Sequence, residues 1–351
     1  MAVSKSSVSV KDVAALAGVS VGTVSNVINS PAVVSEATRQ RVEDAITKLG
    51  WVRNESARQL RAGRSRSIGM VVMEIANPFF TDIVAGVEDY VQDLGYTVQL
   101  GNSAEQVDRE SAHLALFEEH RVRGVLFVPI REVGDRVARL RRRGIPVVVV
   151  DRAGDSTDYC SVAVDDIEGG RLAVAHLVDL GHQRIAFVGG PSTLQQVRDR
   201  SLGAQIAASR LNSPGALLTI STSRLDTESG VRAAGAIALM RDAERPTAVF
   251  AANDLLAIGL LQGFVTHGMR IPDDIAIIGY DDIAFASAAA VPLSSIRQPR
   301  QLLGRRAAEL LFAEVDALDQ SLPHEHQHVQ FVPELIVRRS TAGAKPAVGQ
   351  A

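Results

Sequence analysis

The sequence predicts a small all-α head joined to an α/β body of two doubly wound parallel-sheet lobes, on three observations. The first fifty residues carry three short apolar periodicities, each with cap signals at its ends. From residue 68 onward, β-branched runs alternate with amphipathic stretches of helical length. Charge divides at the same place: residues 1–67 hold ten Lys/Arg against five Asp/Glu, a net +5, while the remaining 284 hold 27 against 35, a net −8. A basic head on an acidic body is the asymmetry expected when one part of a chain contacts nucleic acid.

The 351 residues suit about two domains. The single cysteine, Cys160, excludes an internal disulfide or a zinc site built on several cysteines, and it fits a reducing compartment. Residues 1–10 lack the apolar run of a secretory signal, and no apolar run elsewhere approaches a membrane span. The expectation is a cytoplasmic protein without membrane contact.

In the head, Ser9 followed by Asp12 resembles a capping box that opens a first helix, and Gly18 closes it. Ser20 can cap a second helix. Val24, Val27 and Ile28 form the buried face of that helix, leaving Val21, Gly22, Ser25 and Asn26 on its outer side. Ser35 caps a third helix with core positions Val42, Ala45, Ile46 and Leu49, stopped by Gly50. Three short helices with a tight glycine turn match a helix-turn-helix, although a small bundle for protein contact has the same pattern. Residues 54–63 read as one or two further helical turns, too short to be stable alone in water. Arg61, Arg64 and Arg66 suit phosphate contact.

In the body, strands are predicted over 68–73, 97–100, 125–128, 147–150 and 162–164, then over 185–188, 217–220, 248–251 and 275–278. A helix over 79–94 places Phe80, Ile83, Val84, Val87, Val91 and Leu94 on one face. Such alternation predicts two parallel sheets with helices on both sides and a ligand crevice at the carboxyl edges of their strands. No phosphate-loop, nucleophile-elbow or metalloprotease motif occurs, so an enzyme is not expected. His324, His326 and His328 would share one side of a strand, but they follow Pro323 and read as an exposed polar crossover. Neither a metal nor a cofactor is expected, and Cys160 reads as a small buried or loop residue.

The string Asp12-Val13-Ala14, Ala17-Gly18-Val19-Ser20, Thr23-Val24-Ser25 and Val27-Ile28-Asn29 resembles the head of the LacI/GalR family of bacterial transcription regulators. The likeness continues through Asn77-Pro78-Phe79-Phe80, Asp165 with Gly169-Gly170, Gly181-His182, Asn253-Asp254, Gly279-Tyr280-Asp281-Asp282, Gln298-Pro299 and Pro333-Glu334-Leu335. It implies a periplasmic-binding-protein-like body whose chain crosses three times between lobes. The implied divisions are a DNA-binding head over 1–53, a hinge over 54–67, a body over 68–341 and a disordered tail over 342–351. Within the body, one lobe takes 68–166 and 297–328, the other 167–296 and 329–341.

The resemblance also assigns roles. The second helix would lie in the major groove of a double-stranded operator, with Val21 and Gly22 at the main base-reading positions and Asn26 at a third. Ser20, Thr23, Ser25 and Asn29 complete that candidate DNA face. Ala57, Arg58, Leu60 and Arg61 would form the hinge helix, with Leu60 as a wedge between base steps in the minor groove. Arg200, Asn253 and Asp281 resemble the effector anchors, and Asp151, Phe79 and Phe80 are further candidates. Leu225 stands where many relatives carry an aromatic residue. A guanidinium and a carboxylate together suit vicinal hydroxyls or the edge of a base. The expectation is therefore a homodimer with a small-molecule effector, a carbohydrate first and a nucleobase or nucleoside second. A partner-protein signal without any small ligand is the third reading. The tail lacks heptad leucines, so no tetramer-forming coil is expected.

Overall fold

A computed structural model describes residues 8–51, 65–154, 157–211 and 216–342. The chain divides into two units, Met1–Arg64 and Ser65–Ala351. The expected hinge residues Ala57, Arg58, Leu60 and Arg61, and nearly all of the expected tail, lie outside the described residues.

The first unit holds α1 (Val10–Ala17), α2 (Val21–Asn29), a short 3-10 turn (Pro31–Val33) and α3 (Glu36–Leu49). The Ser9 N–H and hydroxyl both donate to Asp12 Oδ2, at 2.8 and 2.7 Å. Gly18 and Gly50 close α1 and α3 at φ +67° and +59°, where a side chain would be strained. Ser35 stands at the start of α3, but its hydroxyl donates to Thr38 Oγ1 rather than accepting from the backbone. Val13, Val24 and Val42, one from each helix, are fully buried against one another's helices. Burial of each contributes about 1.5–3 kcal/mol, a large share for so small a core.

The second unit contains two six-stranded sheets. The first runs β1 (Ser67–Val72), α4 (Pro78–Asp93), β2 (Thr97–Asn102), α5 (Val107–Glu119), β3 (Val125–Phe127), α6 (Gly134–Arg142), β4 (Val147–Val150) and β5 (Cys160–Val164). The second runs α7 (Asp166–Asp179), β6 (Ile185–Gly189), α8 (Gln195–Ala208), β7 (Leu217–Ser221), α9 (Thr227–Ala238), β8 (Ala248–Ala251), α10 (Asp254–Thr266), β9 (Ala276–Asp281), α11 (Ala284–Ala288) and β10 (Ser294–Arg297). The chain then returns through α12 (Arg300–Asp319) and β11 (His328–Phe331) before crossing again to β12 (Glu334–Ile336). Strand order is β11-β5-β4-β3-β1-β2 in one sheet and β12-β10-β9-β8-β6-β7 in the other. All pairings are parallel except β10 with β12. Every residue of β1, β3 and β4 is buried, as expected for parallel strands covered on both faces.

Three features depart from the sequence reading. Strands β10, β11 and β12 were not among those expected; each has only three or four residues, and β11 and β12 are edge strands with polar positions facing out. The last change of lobe was expected at Val329, yet Val329 pairs with Val162 and Phe331 with Val164, so the first sheet keeps the chain through Phe331. The histidine stretch is not wholly exposed either. His326 turns inward with its side chain only 7% exposed, and His324 and His326 both face the buried Cys160. Only His328 keeps an exposed position, its ring bonded to Ser161 Oγ at 2.7 Å.

Candidate ligand crevice and nucleic-acid interface

On α2, Ser20 caps the helix by accepting from the Thr23 N–H at 3.0 Å, and the two hydroxyls meet at 2.9 Å. Both side chains therefore secure the entry of the helix. Asn29 Nδ2 donates to the Ser25 carbonyl at 2.9 Å and to its hydroxyl at 3.1 Å, tying the far end down. With Val24 and Val27 buried beneath, Val21, Gly22 and Asn26 are exposed, as are the capping Ser20 and the tied-down Asn29. Gly22 has ordinary helical backbone, and a Cβ there would meet only Ser20 Oγ at 3.5 Å. Nothing in the fold of the head requires a glycine at that position.

In the body, the seven residues expected at the effector site all line one crevice between the two sheets. They are Phe79, Phe80, Asp151, Arg200, Leu225, Asn253 and Asp281. Asp151 directly follows β4, Asp281 ends β9, and Asn253 opens α10 after β8, so these three stand at carboxyl edges of strands. Arg200 lies in the second turn of α8, not at its start, where its place after the β6 run suggests it would open the helix. Its position follows from close packing. A Cβ on Gly170 of α7 would strike the Arg200 carbonyl, and one on Gly203 of α8 would strike the Ile167 carbonyl. The two helices thus touch backbone to backbone, which brings Arg200 onto Asp166 at the start of α7.

Arg200 is buried, with Nε donating to Asp166 Oδ1 at 2.8 Å and Nη1 to the Ala252 carbonyl at 2.7 Å. Nη1 also stands 3.8 Å from Asp281 Oδ1. Burial opposes its charge, but Asp166, Tyr280, Asp281 and Asp151 together hold it protonated, above the ordinary guanidinium range. Asp281 accepts from Gln298 Nε2 at 2.8 Å, and burial pushes its carboxyl up to about 6 against the pull of Arg200 and Gln298. Asp151 is raised well above the usual carboxylate range by burial and then by Asp166. Asp151 and Asp281 also adopt φ of 59° and 105°, the left-handed region that is sparsely used by non-glycine residues and costs about 1–3 kcal/mol each. One buried guanidinium thus stands among several buried carboxylates, two of them on strained backbone.

Asn253 is more committed than its sequence position suggests. Its Oδ1 accepts from the Leu256 N–H at 2.9 Å, capping α10, while Nδ2 donates to the Leu225 carbonyl at 3.0 Å. Phe79 and Phe80 follow the Asn77 cap at the start of α4 and pack edge to face, with centroids 5.0 Å apart. The crevice wall also includes Glu74, Asn77, Glu105 and Gln196, which the sequence did not single out. Two of these join the lobes directly: Gln196 Nε2 donates to the Asp151 carbonyl at 2.7 Å, and Glu74 pairs with Arg224 at 3.1 Å. Asn77 sat within a quoted motif, but the others are isolated polar residues in loops and early helix turns, without a pattern to mark them.

Comparison with known proteins agrees with this architecture. Residues 9–54 match the model of bacterial regulatory proteins of the lacI family, and residues 174–341 match a periplasmic binding protein-like domain. The HTH-type transcriptional repressor PurR of Photobacterium profundum is 35% identical over 332 residues, covering 94% of this chain and 98% of the relative. A lac repressor dimer bound to operator and the anti-inducer ONPF superposes with a TM-score of 0.79 at 27% identity, covering 96% of this chain and 99% of that one. The transcriptional regulator CelR in complex with cellobiose gives 0.67 at 31% identity, covering 95% and 99%. No described helix is long and apolar enough to cross a membrane. The chain belongs to the lacI family of bacterial regulatory proteins, and is a DNA-binding regulator rather than an enzyme.

Proposed function

We propose that this chain is a dimeric repressor whose affinity for a palindromic operator is set by a small polyhydroxylated molecule, a sugar or a related metabolite, bound between the lobes. The observation that carries this reading is the convergence of Arg200 and Asp281 in one buried crevice, with a donor and an acceptor 3.8 Å apart. Vicinal hydroxyls can accept from the guanidinium and donate to the carboxylate at once. The sugar held by the related CelR supports this class of ligand.

A free nucleobase is the second reading. Phe79 and Phe80 at the crevice wall favour it, since a planar ring can stack while its edge meets Arg200 and Asp281. On DNA, Val21, Gly22 and Asn26 would face base edges, with the hinge residues Ala57, Arg58, Leu60 and Arg61 entering the minor groove. The ligand acts through the lobes: the Gln196–Asp151 and Glu74–Arg224 contacts bridge them, and a different lobe arrangement would have to break or remake both. A ligand shifts that arrangement only by its differential affinity for the two states.

The test is a thermal-shift and calorimetric screen of the full chain with pentoses, hexoses, cellobiose and free nucleobases. A specific ligand should raise the melting temperature by mass action, and Arg200→Met with Asp166→Asn should remove its binding. Binding by nucleobases alone would overturn the sugar reading. No binding by either class, with operator affinity intact, would favour a protein signal instead.

A further inference from the structure

Away from the crevice, at the opposite edge of the first sheet, four side chains of metal-ligating type meet. Cys160 opens β5, Glu314 lies on α12, and His324 and His326 lie on the segment leading into β11. Cys160 Sγ is 3.3 Å from His324 Nε2 and 3.6 Å from His326 Nδ1, and His326 Nδ1 is 3.9 Å from Glu314 Oε2. One ligand atom from each of the four lies within 4.8 Å of all the others. A tetrahedral zinc ion with bonds of about 2.0–2.3 Å sets its ligand atoms roughly 3.3–3.8 Å apart. Two of these separations already fall in that range, and the rest need to contract by an ångström or less.

A hydrogen-bonded polar cluster would be the plainer account, but it leaves Glu314 unexplained. Its side chain is 5% exposed, and Oε2 has no hydrogen-bond partner among the described residues. A buried carboxylate oxygen without a partner is costly, and a cation is one of the few things that resolves it. The His-x-His alternation turns His324 and His326 inward and leaves Glu325 and Gln327 exposed. Thiolate, two imidazoles and a carboxylate form a borderline-soft set, and the two anions neutralise a dication. The neighbouring guanidinium of Arg141 is engaged by the Asp158 carbonyl and stands 3.7 Å from its carboxylate.

We infer that Cys160, Glu314, His324 and His326 form a four-ligand site for a divalent transition cation of the zinc class. It joins β5 to α12 and to the connecting segment that follows α12 directly, both far from β5 in sequence. That segment leads through β11 to the last crossing between lobes, so the ion fastens the connection to the first lobe. Such closed sites are structural in character, with no ligand position left for chemistry.

The experiment uses the full chain, stripped with a chelator, supplied with Zn2+ or Co2+ and desalted. One zinc per chain should remain by elemental analysis, and the melting temperature should rise with Zn2+ and fall again with EDTA. Co2+ should give a thiolate-to-metal charge-transfer band with the intense visible bands of tetrahedral coordination. Cys160→Ser should abolish the charge-transfer band and the retention. Glu314→Gln, close in shape to the acid, should weaken retention by at least roughly tenfold with unchanged circular dichroism, which covers the case in which Cys160→Ser fails to fold. His328→Ala, outside the set, should retain the metal. The inference is overturned if the chain keeps no zinc after desalting, if Co2+ binds without a thiolate band, or if Glu314→Gln retains zinc as the wild type does.

Discussion

The guanidinium of Arg200 lies over the ring of Tyr280, its central carbon 3.7 Å from the ring centroid. The same group is bonded to Asp166 and faces Asp281, so it supports the body before any ligand arrives. Arg200→Ala should therefore cost more than binding. It leaves Asp166 and Asp281 buried without their cation, an expected loss of about 3–5 kcal/mol. Replacing both partners, with Arg200→Met and Asp166→Asn, should recover most of that stability. Urea denaturation of the three proteins checks it, and equal stability of wild type and Arg200→Ala would show the pair to be passive.

The pH dependence follows from Asp281. Its carboxyl is raised from 3.8 to about 6 in the folded chain, so the folded state binds this proton more tightly than the unfolded state does. The contribution to stability is complete below 3.8 and is lost as pH rises through about 6. Ligand binding should run the other way if hydroxyls donate to the carboxylate. Affinity at pH 5 is expected to be about tenfold weaker than at pH 7. Calorimetry across that range measures it, and Asp281→Asn should flatten the profile. A flat profile in the wild type would remove the carboxylate as an acceptor.

Much of this site was legible because Asp151, Asn253 and Asp281 sit at the end of a strand or the start of a helix, where local sequence marks the boundary; Arg200, in the second turn of α8, does not. Asp151 and Asp281 follow β-branched runs, and Asn253 precedes an apolar helix. The core strands of both sheets were legible for the same reason, being continuous apolar runs. Strands β10 to β12 were not, since three or four residues at or near a sheet edge carry no period. Gln196, Glu74 and Tyr280 were missed as site residues because their meaning lies in cross-lobe or ring contacts. Cys160 and His324 are separated by 164 positions, and only the pairing of β11 with β5 brings them together.

Asn253 separates a positioning role from a binding one. Asn253→Ala should cost about 1 kcal/mol through the lost cap of α10, with a further loss from the released Leu225 carbonyl. Asn253→Asp keeps the cap acceptor but not the donor to Leu225. If Asn253 acts through position alone, ligand affinity should track thermal stability across the two variants. Weakened binding in Asn253→Asp at near wild-type stability would place the amide on the ligand itself.

Gly22 offers a comparably clean test on the DNA side. Its backbone is helical and its surroundings open, so Gly22→Ala should stabilise α2 by about 0.5–1 kcal/mol. If the glycine lets the helix approach base edges closely, operator affinity should fall while head stability rises. Asn26→Ala, also exposed, should cost about 1–3 kcal/mol and relax preference at one operator position. Fluorescence anisotropy on a set of single-base operator variants distinguishes the two. Unchanged affinity in both variants would move base reading away from this face.

The most direct test of the account as a whole is operator affinity measured with and without a saturating crevice ligand, on the same full-length chain at fixed salt. Coupling of about 1–3 kcal/mol is expected, a change of roughly 5–150-fold. Saturating operator should change the ligand affinity by the same factor. A ligand that fills the crevice, loses its binding when Arg200 and Asp166 are replaced, and yet leaves operator affinity unchanged would contradict the account.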